Sequence, residues 1–244
     1  GIEMKRILPY ILSCILLVYL IIVFTFVATK SGEVTCRGVR VAVKNTDVNM
    51  FVDEEDIMKA IKKGYGDIMN KSIMAVNKDS LERILVKNPM IKSAQVYYSL
   101  DGYIHVNIQQ REPVLRVLTG EGYYVDRDGR VMPLSSKFTS RVVVATGDIS
   151  KKYACEKLAP FVMSLRDDSF LDAYIEQLIV RSNEDIVMIP KVGDFRIILG
   201  KVENSRERLD KLILFLKNGI AKKGWNHYKE VNLKFDNQVV CVRK

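Results

Sequence analysis

The longest apolar run in the chain comes first. From Ile7 to Ala28, 19 of 22 residues are apolar, interrupted only by Pro9, Ser13 and Thr25. At 1.5 Å per residue such a run makes a helix about 33 Å long, which matches a hydrocarbon core of roughly 30 Å. The pattern predicts one uncleaved membrane-spanning helix over 7–28, with 1–6 as a short tail. Signal peptides carry a shorter apolar region, about 7–15 residues, before a small-x-small cleavage site. Val27-Ala28-Thr29-Lys30 is a poor site of that kind, and Val34-Thr35-Cys36 is a poor acylation site because no small residue precedes the cysteine. The next candidate run, Leu209 to Leu216, includes Asp210 and Lys211 and does not span. Lys5 and Arg6 stand before the helix, and Lys30, Arg37 and Arg40 after it, so charge alone leaves its orientation open.

The pattern then changes to short mixed elements. Arg37 to Val43 alternates, with Val39, Val41 and Val43 on one face, and reads as a strand. Asp53-Glu-Glu-Asp56 opens a helix, with Asp53 as cap, an apolar stripe at Ile57, Ala60 and Ile61, and Gly64 as the residue past its end. A second helix begins at Asn77, stapled by Val76 and Leu81, and stops at Asn88-Pro89. Ile91 to Tyr98 and Tyr103 to Gln110 form a hairpin around Leu100-Asp101-Gly102. The order is β-α-α-β-β over 34–112, in which two helices cover one face of a three-stranded sheet.

A second module fills 113–244. Tyr123 to Val125 and Val131-Met132 flank Asp126-Arg-Asp-Gly129 as a hairpin, and Arg141 to Ala145 is a short strand. Ser150 to Leu165 has a helical period with Pro160 inside it, which predicts a kink or an early stop. Ile175–Arg181, Asp185–Ile189 and Phe195–Leu199 are strands joined by links too short for anything but antiparallel neighbours. Asn204-Ser-Arg-Glu207 is a capping-box pattern before a helix striped by Leu209, Leu212, Ile213, Leu216 and Ile220, ending at Lys222-Lys-Gly224. Val231–Phe235 and Gln238–Val242 close the chain as β structure around Asp236-Asn237. The expected class is α+β, the second module being an antiparallel sheet with covering helices. The modules abut at Glu112-Pro113 without a flexible linker, which predicts a stiff junction.

Little in the chain looks catalytic. Its two histidines, His105 and His227, lie far apart, the first on the polar face of a strand. There is no Gly-x-Ser-x-Gly elbow and no Walker loop. Asp126-Arg-Asp-Gly129 resembles a calcium loop only until Arg130 and Lys137 fall where oxygen ligands belong, so a tight turn is the better reading. Cys14, Cys36, Cys155 and Cys241 are single and too few for a disulfide framework. No metal or cofactor is expected. Of the net charge of +9, +2 lies in 34–112 and +6 in 113–244, with bases scattered among acids. That pattern suits anionic headgroups or acidic proteins better than nucleic acid.

What is left is backbone. A last strand often lies at a sheet edge, with free N–H and C=O groups that proteins usually blunt. The closing segment Val231 to Val242 is apolar and followed only by Arg243 and Lys244. It is the candidate site for an added partner strand; the bland reading is an interior strand paired on both sides.

In this order of elements the chain resembles the bacterial division family FtsQ/DivIB, whose first soluble module is a POTRA domain. The resemblance rests on Asn88-Pro-Met-Ile-Lys-Ser-Ala-Gln-Val-Tyr97, Ile104 to Ile108, Gln110-Arg-Glu-Pro-Val114, Val125-Asp-Arg-Asp-Gly129, Ile198-Leu-Gly200 and Val231-Asn-Leu-Lys-Phe235. It implies a non-enzymatic scaffold of septal wall synthesis in the inner membrane, with its tail in the cytoplasm and its large domain outside. The implied partners are FtsB/DivIC and FtsL, the first adding a strand to the last strand of the β module, with helix contacts nearby. The site then falls on Val231, Leu233, Phe235 and Val239. No nucleic acid and no small-molecule substrate is implied. The alternatives are another envelope POTRA assembly or transport factor, and a membrane-tethered hydrolase using Asp126 and Asp128.

Overall fold

The computed structural model describes the backbone of residues 2–45, 50–220, 224 and 227–244, and the side chains of 11–27, 34–45, 50–218, 224 and 227–244. The chain divides into two compact units, Gly1–Gln110 and Arg111–Lys244.

The first unit opens with a 32-residue helix, α1 (Ile2–Glu33), whose described side chains, 11–27, are all exposed. Among the described residues no helix is long and apolar enough to cross a membrane. After α1 come β1 (Gly38–Lys44), α2 (Glu54–Gly64), α3 (Lys78–Val86), β2 (Ile91–Tyr98) and β3 (Tyr103–Gln110). The sheet order is β1-β3-β2, with β1 parallel and β2 antiparallel to β3. Ile104, Val106 and Ile108 are completely buried against α2 and α3, as their alternation predicts.

The local signals that start these helices are visible in the structure. Asp53 caps α2 by accepting the Asp56 N–H, and Asp56 returns a bond to the Asp53 N–H, closing a capping box. Asn77 caps α3 through the Ser80 N–H, and the stapling pair Val76 and Leu81 are both buried. Gly64 has a different job from the one expected. It is the last residue of α2, and a Cβ there would lie 2.7 Å from Ile84 Cγ2, so its role is close approach of α2 to α3.

The second unit is built on β4 (Pro113–Val117), β5 (Tyr123–Asp126), β6 (Val131–Pro133), β7 (Val143–Gly147), β8 (Ile175–Val180), β9 (Ile186–Pro190), β10 (Arg196–Gly200), β11 (Tyr228–Asn232) and β12 (Val240–Arg243). They form one sheet in the order β12-β11-β10-β9-β8-β7-β4-β5-β6. The sheet is mixed and not antiparallel as expected. β4 with β7, β7 with β8, and β10 with β11 pair in parallel. The helical stretch between β7 and β8 and the helix between β10 and β11 are the crossovers that parallel pairing requires. The three strands read as close antiparallel neighbours, β8, β9 and β10, are so.

Pro160 neither stops nor breaks its helix. α4 (Lys151–Tyr153) runs through one π-helical turn, Ala154–Leu158, into α5 (Ala159–Arg166), and the Ala159 N–H reaches back five residues to the Ala154 carbonyl. The wide turn comes just before the proline, where an ordinary helical bond from its nitrogen is impossible. A short helix that the pattern did not suggest, α6 (Ser169–Tyr174), follows, capped by Asp168. The capping box expected at Asn204 does not form. Asn204 is left-handed (φ 53°) with no side-chain cap bond, and α7 (Ser205–Phe215) starts after it. A π-helical turn, Leu216–Ile220, extends α7; of the expected helix end at Lys222-Lys-Gly224, the two lysines lie outside the described residues. Leu158, Val162, Leu165, Leu209, Leu212, Leu178, Ile197 and Val231 meet in one core beneath the sheet. At the end of β7, Gly147 (φ +104°) passes so close to the Val180 carbonyl oxygen that a Cβ would sit 2.1 Å from it.

Candidate partner-binding edge

The closing segment is two strands with a bend between them. β11 pairs in parallel with β10 and antiparallel with β12, so it is an interior strand. β12 ends the sheet, and among the described residues no strand lies beyond it. Of the segment 231–242 expected to form the edge, 240–242 lie on it in β12, while 231–232 belong to the interior strand β11.

Hydrogen bonds fix which groups of β12 point outward. The Leu233 N–H donates to the Ile198 carbonyl on one flank of β11. The alternate residues Glu230 and Asn232 face the other flank, where they pair with Val242 and Val240. The Lys244 N–H, bonded to the His227 carbonyl, keeps the same parity. Cys241 and Arg243 are therefore the residues whose N–H and C=O groups face away from the sheet.

The four predicted site residues fall in different places. Val231 and Leu233 have no exposed surface and belong to the core; their side chains are not available to a partner. Phe235, beyond β11, is 46% exposed. Val239 is half-buried against the core and lines a groove of about 410 Å³ with Lys211, Leu214, Phe215, Asn218 and Gln238. Leu214, on this groove, and Phe235 are exposed apolar side chains; Val240 and Val242 are exposed too, but they pair with Asn232 and Glu230 and so lie on the face of the sheet opposite Val231 and Cys241, away from the groove. Sequence reasoning missed Leu214 and the β12 valines. Leu214 lies off the buried stripe of α7, which was the available signal.

Two lysines hold the bend. Lys211 Nζ donates to the carbonyl oxygens of Leu233 (3.3 Å) and Phe235 (2.6 Å). Lys234 Nζ lies 2.6 Å from the buried carboxylate of Asp185. That hydrogen bond and its charge draw the Asp185 carboxyl below its ordinary pKa, outweighing the opposing effect of burial. Burial pushes the Cys241 thiol up, so it packs beneath the edge in its neutral form.

One of the two carboxylates weighed for hydrolysis has structural work. Asp126 is buried and accepts from Arg111 (2.8 Å) and from the N–H groups of Asp128 and Arg130 (3.0 and 2.7 Å). The turn that looked like a calcium loop is thus folded around one of its own side chains. Among the described residues no group of three or more His, Cys, Asp or Glu is arranged to hold a metal. His105 stacks on Tyr97 at 4.8 Å, and His227 meets Tyr228 edge-on.

The family model described as FtsQ/DivIB, C-terminal related matches residues 112–242, more than half of the chain, and a POTRA-like domain model matches 34–109. The chain belongs to the FtsQ/DivIB family. That family consists of non-enzymatic cell-division scaffolds, and the POTRA-like match covers the β-α-α-β-β unit. No curated protein matches the chain. In this FtsQ/DivIB chain β12, one of the two terminal strands of the sheet, is the last strand of the family-matched region.

Proposed function

We propose that this chain is a membrane-anchored division scaffold that binds its partner by strand addition to the outer edge of β12. The observation that carries this reading is the position of β12 at the end of a nine-stranded sheet, with the main-chain groups of Cys241 and Arg243 facing outward. An extended segment laid there gains main-chain hydrogen bonds, and the apolar groove beside α7 receives its side chains or a following helix. Leu214 and Val239 in the groove, with Phe235 nearby in the chain, supply the apolar surface. The FtsQ/DivIB family supports FtsB/DivIC and FtsL as the partners. The apolar run 7–28, within the 32 residues of α1, supports a single membrane anchor. The family supports a cytoplasmic tail, an extracytoplasmic large domain and a place at the septum.

The test is capture of the extracytoplasmic segment of the FtsB/DivIC protein from the same cell. Arg243→Pro deletes one outward donor and leaves the pairing with β11 intact, so capture should fall. Undiminished capture would overturn strand addition at β12.

A further inference from the structure

The first unit carries a longer unpaired edge than the second. β2 lies at the margin of its sheet and has eight residues, against four for β12. The Ser99 N–H donates to the Tyr103 carbonyl, so by alternation Gln95 and Tyr97 face β3 while Ala94, Val96 and Tyr98 face outward. Judged by length alone, β2 is the better template for an added strand, including the same strand of a second copy.

The central outward donor of that edge is already engaged. The Val96 N–H donates to Glu82 Oε1 at 2.7 Å, across from α3. Glu82 also lines a groove of about 500 Å³ between α3 and β2, with Asp79, Arg83, Lys87, Lys92 and Ala94. On the same margin the Tyr98 hydroxyl donates to the Val76 carbonyl at the entry to α3. A carboxylate is a stronger acceptor than a neutral carbonyl, so an incoming strand offers Val96 a poorer partner than the one it must displace. The displaced charge would then lie against the carbonyls of the newcomer.

We infer that Glu82 closes the outer edge of β2 against pairing with a second copy of this chain. This rests on the proposed scaffold reading. A second copy is the occupant to exclude because antiparallel pairing of β2 with itself is two-fold symmetric about Val96. It would also set Lys87 and Lys92 of each copy near Asp79 of the other.

The experiment is sedimentation of the full chain in detergent micelles over a hundredfold concentration range, with folding followed by circular dichroism. Glu82→Ala, a helix-compatible change, should self-associate at least tenfold more tightly than the wild type. Glu82→Gln keeps an acceptor oxygen but loses the charge, and should self-associate more weakly than Glu82→Ala and more tightly than the wild type. Adding Val96→Pro to Glu82→Ala deletes the outward donor and should restore wild-type behaviour. Glu82→Ala sedimenting as the wild type, or the double variant still associating, would overturn the inference. Capture of the FtsB/DivIC segment by Glu82→Ala should be unchanged. Its loss without new self-association would overturn the inference and leave the β12 reading to its own test with Arg243→Pro.

Discussion

The ammonium group of Lys211, on α7, donates to the main-chain carbonyl of Phe235 at 2.6 Å. A second, longer bond of 3.3 Å to Leu233 makes the same side chain a clamp across the exit from β11. The clamp sets where Phe235 and the groove beside it stand.

Lys211→Met retains most of the side-chain volume and removes both bonds. The site is partly exposed, so the stability lost is about 1 kcal/mol, at the lower end for a hydrogen bond. Partner affinity should fall by about threefold to tenfold, since 1.4 kcal/mol is tenfold. Urea unfolding and calorimetric titration against the partner segment check the two effects separately.

Phe235→Asp and Leu233→Asp separate surface from core. Phe235 is half exposed, so its aspartate variant should keep the wild-type melting temperature and lose partner binding. Leu233 has no exposed surface, and a carboxylate in its place should cost upwards of about 4 kcal/mol by burying an unpaired charge. Thermal unfolding of the two variants, followed by capture assays on whatever folds, tells them apart.

Asp185 predicts a pH dependence. Its native pKa lies below the ordinary 3.8 because Lys234 bonds its charged form. The stability it contributes is therefore fully present well above pH 4 and is lost as the pH falls from about 4 through the lowered native value. Asp185→Asn should lower stability at neutral pH and flatten this acid limb. Equal losses for variant and wild type between pH 5 and pH 3 would show that the pair contributes nothing there.

Gly147→Ala should destabilise the second unit by about 2–4 kcal/mol, because the added carbon meets the Val180 carbonyl at a positive φ that alanine resists. Denaturant unfolding measures it.

How far the sequence foretold these sites depended on whether one face of an element meets water. β3 alternates cleanly because its other face is half exposed, and Asp53, Asn77 and Val76 announced their helices through short-range chemistry. β4 went unread: Val114, Leu115 and Val117 are all buried, so Pro113–Val117 shows no alternation. The parallel pairings were hidden for a related reason, since partners separated by a whole helix, or by the β5–β6 hairpin, leave no local trace. Asn204 matched a capping box in composition, yet its backbone is left-handed, a choice made by tertiary packing. At the candidate site the sequence marked the closing segment as a whole and missed the division of labour between its two strands. Val231 and Leu233 have the apolar character of an edge, but only the sheet order shows that β11 is covered and β12 is not.

Amide hydrogen exchange along β12 tests the central claim most directly. In the free protein the N–H groups of Val240 and Val242 face β11 and should exchange slowly, while those of Cys241 and Arg243 face outward and should exchange fast. Adding the extracytoplasmic FtsB/DivIC segment should slow Cys241 and Arg243 selectively. If those two amides exchange as fast in the complex as in the free chain, strand addition at this edge is contradicted.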